Sequence, residues 1–91
     1  MTTPPTPKVP VTAIEQALRA ALAPESLTVL DESHLHAGHA GASAGGHYRV
    51  QIRSARFAGS SRIARHRLVY DALAGLTPLG IHALAIEADA A

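Results

Sequence analysis

Three histidines lie within six residues, beside two carboxylates, in the stretch DESHLHAGH at positions 31–39. Neutral imidazole binds zinc, copper, nickel and iron, and a loop rich in Gly and Ala lets two such rings turn toward one ion. These rings belong to His34, His36 and His39. Because HxHxxH contains no fixed third or fourth ligand, a closed structural zinc site is not expected. The alternative is a solvent-exposed, histidine-rich loop.

Two further histidines lie in regular elements. By strand alternation His82 shares a face with Leu84 and Ile86, which predicts a partly buried, hydrogen-bonded ring. The alternative is that His82, at the first residue of its strand, is exposed at the sheet edge. His66 lies on the apolar face of a predicted helix and is interpreted as a packed residue rather than a ligand.

Basic residues are concentrated in the middle of the chain. Between Ser33 and Tyr70 there are six Arg, five His and no Asp or Glu. This asymmetry fits an acidic partner surface or the phosphates of a nucleic acid, and a solvated arginine-rich face is the alternative. The candidate contact residues are Arg53, Arg56, Arg62, Arg65 and Arg67.

Composition excludes several classes of protein. The 91 residues carry a formal charge of +1 and no cysteine, which excludes disulfides, thiolate zinc sites and a thiol nucleophile. No nucleophile elbow, phosphate loop, dinucleotide fingerprint or HExxH motif occurs, so we expect no enzyme. The N-terminus lacks an apolar signal segment and no run is long enough for a membrane span, so a cytoplasmic location without membrane association is expected.

The first half of the chain predicts a tail, a helix and two strands. Residues 1–11 are Pro- and Thr-rich and predict a disordered tail before a domain at 12–91. Thr12 and Glu15 form a capping box for a helix over Ala13–Leu22, which Pro24 ends. Short strands are predicted over residues 27–30 and 47–54, the second alternating an apolar with a polar face. A long Gly/Ala loop joins them.

The second half predicts a helix and a last strand. Phe57 is predicted to anchor the end of the second strand, and a short helical turn is predicted within residues 59–62. Ser60 or Ser61 is predicted to cap the helix that follows. The predicted apolar face consists of Ile63, His66, Tyr70, Leu73 and Leu76, with Val69 beside it. Gly75 is predicted as a left-handed end residue before Pro78, and residues 81–88 form the strand. The order α-β-β-α-β predicts an α+β fold, with one antiparallel and one parallel strand pair and both helices on one face.

Several blocks together resemble the BolA family. They are Asp31-Glu32-Ser33 with its histidine loop, Tyr48-Arg49-Val50, Phe57-Ala58-Gly59, Arg65-His66-Arg67 with Val69 and Leu73, and residues 81–86, IHALAI. The similarity spans residues 12–88. It implies an αββαβ fold similar to the class II KH domain, a three-stranded mixed sheet with helices on one face, without the GxxG nucleic-acid loop.

The resemblance also implies a function. BolA-like proteins pair with monothiol glutaredoxins and share with them a glutathione-supported [2Fe–2S] cluster in iron–sulfur trafficking or iron sensing. The isolated chain is expected to contain no cluster. The implied metal ligands are His82 and His36, with His39 as the alternate loop ligand. Some relatives are described as DNA-binding regulators of stress response and cell morphology. Alone, the chain is expected to be a monomer or a weak homodimer.

The sequence departs from the family pattern at two places. Gly45-Gly46 precedes the second strand's histidine where relatives have a polar or acidic residue, within a longer and more Gly-rich loop. The usual Thr-Pro extension after the last strand is replaced by Ala88-Asp89-Ala90-Ala91, so no helical C-terminal tail is expected.

Overall fold

The computed structural model describes residues 9–33 and 46–91. Its elements follow the predicted order, with one short helix added before the last strand. They are α1 (Val11–Leu22), β1 (Ser26–Asp31), β2 (Gly46–Ser54), α2 (Arg62–Ala72), α3 (Thr77–Gly80) and β3 (Ile81–Ala90). The αββαβ prediction and the strand at the C-terminal end are therefore confirmed.

The three strands form one mixed sheet with β2 in the centre. β1 pairs antiparallel with β2, Val29 lying opposite Val50, and β3 pairs parallel with β2, Ile86 lying opposite Val50. A parallel pair needs a long crossover, which the helical segment between β2 and β3 supplies. The predicted pairing directions are confirmed.

The core lies between one face of the sheet and the helices. Tyr48, Val50 and Ile52 of β2 are buried, and the inward stripe of α1 packs there through Ile14 and Leu18. The alternate residues of β2 lie on the open face, as predicted. Burying each large apolar side chain stabilises the fold by about 1.5–3 kcal/mol, so these residues hold the helices on a single face.

Val9, which precedes the predicted start of the domain, contacts the fold. Val9 is buried, and the Tyr48 hydroxyl donates a hydrogen bond to its carbonyl oxygen. Pro10 occupies the N-cap position of α1 without a side-chain cap. The predicted capping box of Thr12 is therefore wrong: the anchored Val9 lets the helix begin earlier, which places Thr12 inside the first turn. Residues 1–8 of the predicted tail lie outside the described residues.

A buried serine joins three elements. The Ser54 hydroxyl, at the end of β2, donates to the carbonyl of Leu22 at 2.6 Å and accepts from the amide of Arg56 at 3.1 Å. A 3-10 turn over Ala55–Phe57 follows, so the extra helical turn precedes Gly59 rather than following it. Phe57 is buried, as predicted for the strand exit.

The orientation of α2 differs from the prediction. Ser61 caps the helix, its hydroxyl accepting from the amide of Ala64 at 3.1 Å. Val69 and Leu73 are buried, but Ile63 is 72% and Tyr70 50% exposed. These two were predicted to face the core, and that prediction is wrong, because the buried stripe of α2 is centred on Val69, which lies about 100–120° around the helix from both of them.

The turn after α2 also differs. Gly75 does not adopt the predicted left-handed conformation, since the described residues with positive φ are Ala23, Gly59 and Gly80. Pro78 lies in the first turn of α3 and Gly80 then leads into β3. Within residues 9–33 and 46–91, none of the helices is long and apolar enough to cross a membrane.

Candidate functional site

His82 is exposed at the start of β3 because the strand is irregular there. Gly46 pairs with Ile81, but the next residue of β2, His47, pairs with Ala83, so β3 contains one residue more than β2 in this interval. Such a bulge redirects a side chain. The prediction that His82 shares a face with Leu84 is therefore wrong, whereas the alternative of an exposed ring at the sheet edge is the one observed.

The His82 ring lies against a histidine that the sequence argument did not select. The ring centroids of His47 and His82 are 5.1 Å apart, with an interplanar angle of 53°. A tilted arrangement at this separation is typical of packed aromatic rings. In the sequence, His47 is the first residue on the polar face of β2. That position indicates a contact with His82 only when the bulge opposite it is known.

Both ends of the segment 34–45 are anchored next to this histidine pair. The Ser33 amide donates to the Asp31 carboxylate at 2.9 Å, and the Ser33 hydroxyl accepts from the amide of His47 at 3.0 Å. The amide of Glu32 donates to the carbonyl of His47 at 2.7 Å. The residues on the two sides of segment 34–45 are therefore in contact with each other at His47. His34, His36 and His39 themselves lie outside the described residues.

The open sheet face beside His47 carries a small polar network. Arg49 contacts the carboxylates of Glu32 at 3.2 Å and Glu87 at 3.4 Å, and the Gln51 amide donates to Glu87 at 3.1 Å. The hydrogen bond to Glu32, followed by its charge, raises the pKa of Arg49 above its usual value. A shallow cleft of about 260 Å³ lies here, over the small residues Ala83 and Ala85. Because His47 also lines this cleft, the cleft extends from the pair of His47 and His82 along the open face of the sheet.

The five candidate arginines are spread over several surfaces. Arg53 lies on the open sheet face with its Nε 3.4 Å from the carbonyl of Ala90, and Arg56 is exposed on the 3-10 turn. Arg62 and Arg67 are both exposed on α2, but five residues at 100° each place them about 140° apart. The structure therefore does not bring the five together as one patch.

Arg65 differs from the other four, which are exposed, because its side chain is partly buried against β3. Its guanidinium donates to the carbonyl of Ala88 at 2.8 Å and lies 3.8 Å from the Asp89 carboxylate. The side chain is 24% exposed, and His66 beside it is half-buried. Arg65 therefore connects α2 to the outer edge of β3.

Imidazoles are the metal-ligating groups that this surface presents. No group of three His, Asp or Glu side chains that could hold a metal ion occurs within the described part of the chain. What they present is one exposed imidazole, His82, with a second imidazole packed beside it. This donor set fits a metal group whose other ligands come from elsewhere, and it does not fit a complete site.

The fold and this surface define a class: small αββαβ domains with an exposed histidine at the start of the last strand. The sequence model of the BolA-like protein family matches residues 18–91. The chain belongs to the BolA family.

Curated relatives agree with this assignment. BolA-like protein 1 of Mus musculus is 46% identical over 76 residues, which cover 84% of this chain and 54% of that protein. The DNA-binding transcriptional regulator BolA of Escherichia coli is 42% identical over 74 residues, covering 81% and 69%. The chain thus spans about half of the mouse relative and two thirds of the bacterial one.

Solved structures show the same fold. The BolA domain of SufE1 from Arabidopsis thaliana superposes with a TM-score of 0.78 at 39% identity, over 88% of this chain and 90% of that domain. The solution structure of BolA1 from Mus musculus gives a TM-score of 0.73 at 41% identity, over 99% and 72%. The αββαβ architecture is therefore that of the family.

Proposed function

We propose that this chain is a non-enzymatic adaptor that pairs with a monothiol glutaredoxin. In the complex, His82 and one loop imidazole, from His36 or His39, are ligands of a [2Fe–2S] cluster that the two proteins and glutathione hold together. The observation that carries the proposal is the exposure of His82 at a bulge, beside the anchored ends of the loop.

Chain length supports the pairing of His82 with a loop imidazole. His36 follows Ser33 by three residues, and an extended chain spans at most about 3.3–3.6 Å per residue, so its backbone lies within about 11 Å of that anchor. His39 follows by six residues and is correspondingly less constrained. Of the two, His36 lies nearer to the Ser33 anchor along the chain.

The absence of cysteine supports a shared site. The chain has no thiolate of its own, so it offers nitrogen ligands while the sulfur ligands come from the partner and glutathione. Such a cluster supplies one-electron chemistry, at a potential above that of an all-cysteine cluster when two imidazoles bind the same iron. The role of this chain is to present the imidazoles and to exclude a second glutaredoxin from that side.

The proposal is tested by assembling the complex from purified chain, monothiol glutaredoxin, iron, sulfide and glutathione. We expect a heterodimer whose visible spectrum differs from that of the glutaredoxin homodimer. His82→Ala should abolish the difference while the chain remains folded, since the residue is exposed and lies outside the core. His66→Ala, on α2, is the matched control and should retain the heterodimer spectrum. An unaltered spectrum and affinity for His82→Ala would refute the ligand assignment.

A second candidate function is DNA binding. It is favoured by the name of the Escherichia coli relative and by three exposed arginines, Arg56, Arg62 and Arg67, which form no ion pair within residues 9–33 and 46–91. Because phosphate contacts release counterions, log affinity should fall linearly with log salt, with a slope of about −0.9 per contact.

The salt dependence is measured on duplex DNA with single variants. Arg62→Ala should make the slope less negative by the amount of about one phosphate contact. Arg65→Lys should change the slope little, because Arg65 donates a hydrogen bond to β3. A flat plot for the wild-type chain, or no binding at moderate salt, would exclude this candidate.

A further inference from the structure

The outward face of α2 carries apolar side chains that the core does not use. Ile63 is 72% exposed and Tyr70 50% exposed, although Val69 and Leu73 on the same helix are buried. Seven residues at 100° each bring Ile63 and Tyr70 within about 20° of one another, and a rise of 1.5 Å per residue separates them by roughly 10 Å. They form an aligned pair two turns apart.

A groove runs along the same side of the helix. It has a volume of about 410 Å³ and is lined by Ser60, Ser61, Ile63, Ala64, Arg67, Leu68 and Asp71. Ile63, Ala64 and Leu68 supply its apolar part. This volume lies within the range of about 300–1,000 Å³ found for ligand-binding pockets. The groove and the aligned pair share Ile63, so together they form one continuous surface, here called the α2 surface.

Charge around the α2 surface selects the partner. Arg67 lines the groove and Arg62 precedes Ile63, and neither forms an ion pair among the described residues. Among the described residues, Asp71 is the one acidic side chain that lines the groove. A two-fold contact between copies of this chain would bring arginines face to face, which is unfavourable. A nucleic acid would satisfy the arginines but leave Ile63 and Tyr70 without apolar contacts.

We propose that the α2 surface binds an acidic amphipathic helix of a protein partner. Helices that dock into grooves use apolar anchors at i, i+4 and i+7, a spacing that matches the two-turn separation of Ile63 and Tyr70. Acidic side chains on the flanks of that helix pair with Arg62 and Arg67. The surface consists of α2 and the turn before it, whereas His82 lies in β3, so this inference goes beyond the proposed function and does not depend on it.

The test is an NMR titration of the full-length, ¹⁵N-labelled chain with designed peptides. The probe is a helical peptide with Leu at i, i+4 and i+7 and Glu on its flanks. One control peptide has the same composition with the Leu residues scrambled, and a second carries Lys in place of Glu. We expect shift changes confined to residues 60–74 and at least tenfold weaker binding of both control peptides.

Variants of the chain make the test specific. Ile63→Lys should weaken binding of the Glu-flanked peptide at least tenfold, whereas Leu30→Lys, a control at another exposed apolar residue on the open sheet face, should not. Arg67→Glu should reverse the preference toward the Lys-flanked peptide. Ile63→Lys should retain the heterodimer with glutaredoxin, so failure here is distinguishable from failure of the proposed function.

Three results would overturn the inference. The first is equal affinity for all three peptides, and the second is unchanged binding by Ile63→Lys. The third is preferential use of the α2 surface by something else: sedimentation would reveal a homodimer that Ile63→Lys dissociates, or duplex DNA would displace the peptide and shift the same resonances.

Discussion

The exposure of His82 depends on single residues opposite it. The extra residue in β3 is accommodated where β2 begins, at Gly46 and His47, and there the His82 side chain leaves the alternation that buries Ile86 and Ala88. Gly46 has a steric role in this arrangement. A Cβ atom built on Gly46 would lie under 3.0 Å from the ring of Tyr48.

We expect Gly46→Ala to destabilise the fold. The Tyr48 ring is buried and its hydroxyl donates a hydrogen bond to the carbonyl of Val9. The ring therefore cannot move aside without breaking that hydrogen bond. Overpacking of this kind costs about 1–3 kcal/mol. The change is measured as a shift of the urea unfolding midpoint at constant slope.

Gly75→Ala is the matched control for this prediction. A Cβ atom at Gly75 meets nothing within 4 Å and its φ is not positive, so the variant should be neutral or more stable by up to about 1 kcal/mol. A midpoint for Gly46→Ala equal to the wild-type value would show that Gly46 has no steric role.

At the scale of elements, the end of α1 contains a strained residue. Ala23 caps the helix with φ 43° and ψ 56°, in the left-handed region, and its amide donates to the carbonyl of Arg19 at 3.1 Å. This conformation costs a residue with a Cβ about 1–2 kcal/mol. Pro24 follows and prevents the helix from continuing.

Ala23→Gly should therefore raise the stability by about 0.5–1 kcal/mol, since glycine adopts this conformation without strain and part of the gain is offset by its freedom in the unfolded chain. The same substitution at Ala20, exposed within α1, should lower it by about 1 kcal/mol. Thermal unfolding of both variants provides the measurement. Destabilisation by both would contradict the strain argument.

The elements also show what the sequence could predict. The alternation in β2 is unambiguous, so this strand and its buried face were predicted correctly. In α2, apolar residues occur on two sides, and the choice between the sides containing Val69 and Ile63 depends on packing against the sheet. The start of α1 was misplaced because the anchor of Val9 is a long-range contact, with Tyr48.

The candidate site was predictable only in part. The motif around His82 indicated its importance, but strand alternation cannot reveal a bulge, so its relation to Leu84 was predicted wrongly. His47 was missed for the same reason. The arginines were identified by charge alone, which could not show that Arg65 binds β3 while Arg62 and Arg67 lie on different sides of α2.

At the scale of the whole molecule, the two proposed surfaces lie on different elements. The histidines lie where β2 and β3 begin, whereas the α2 surface lies on the helix that connects these strands. A glutaredoxin at the first surface and an acidic helix at the second can therefore be examined with independent variants. The central claim concerns the first surface: imidazole nitrogen from this chain binds iron.

The most direct test is pulsed electron paramagnetic resonance of the reduced heterodimer, assembled with this chain labelled with ¹⁵N only in histidine and with unlabelled glutaredoxin. Our account predicts ¹⁵N hyperfine couplings of directly bound imidazole, weakened or lost in His82→Ala and retained in His66→Ala. A cluster assembled in the complex that shows no ¹⁵N coupling from this chain would contradict the account.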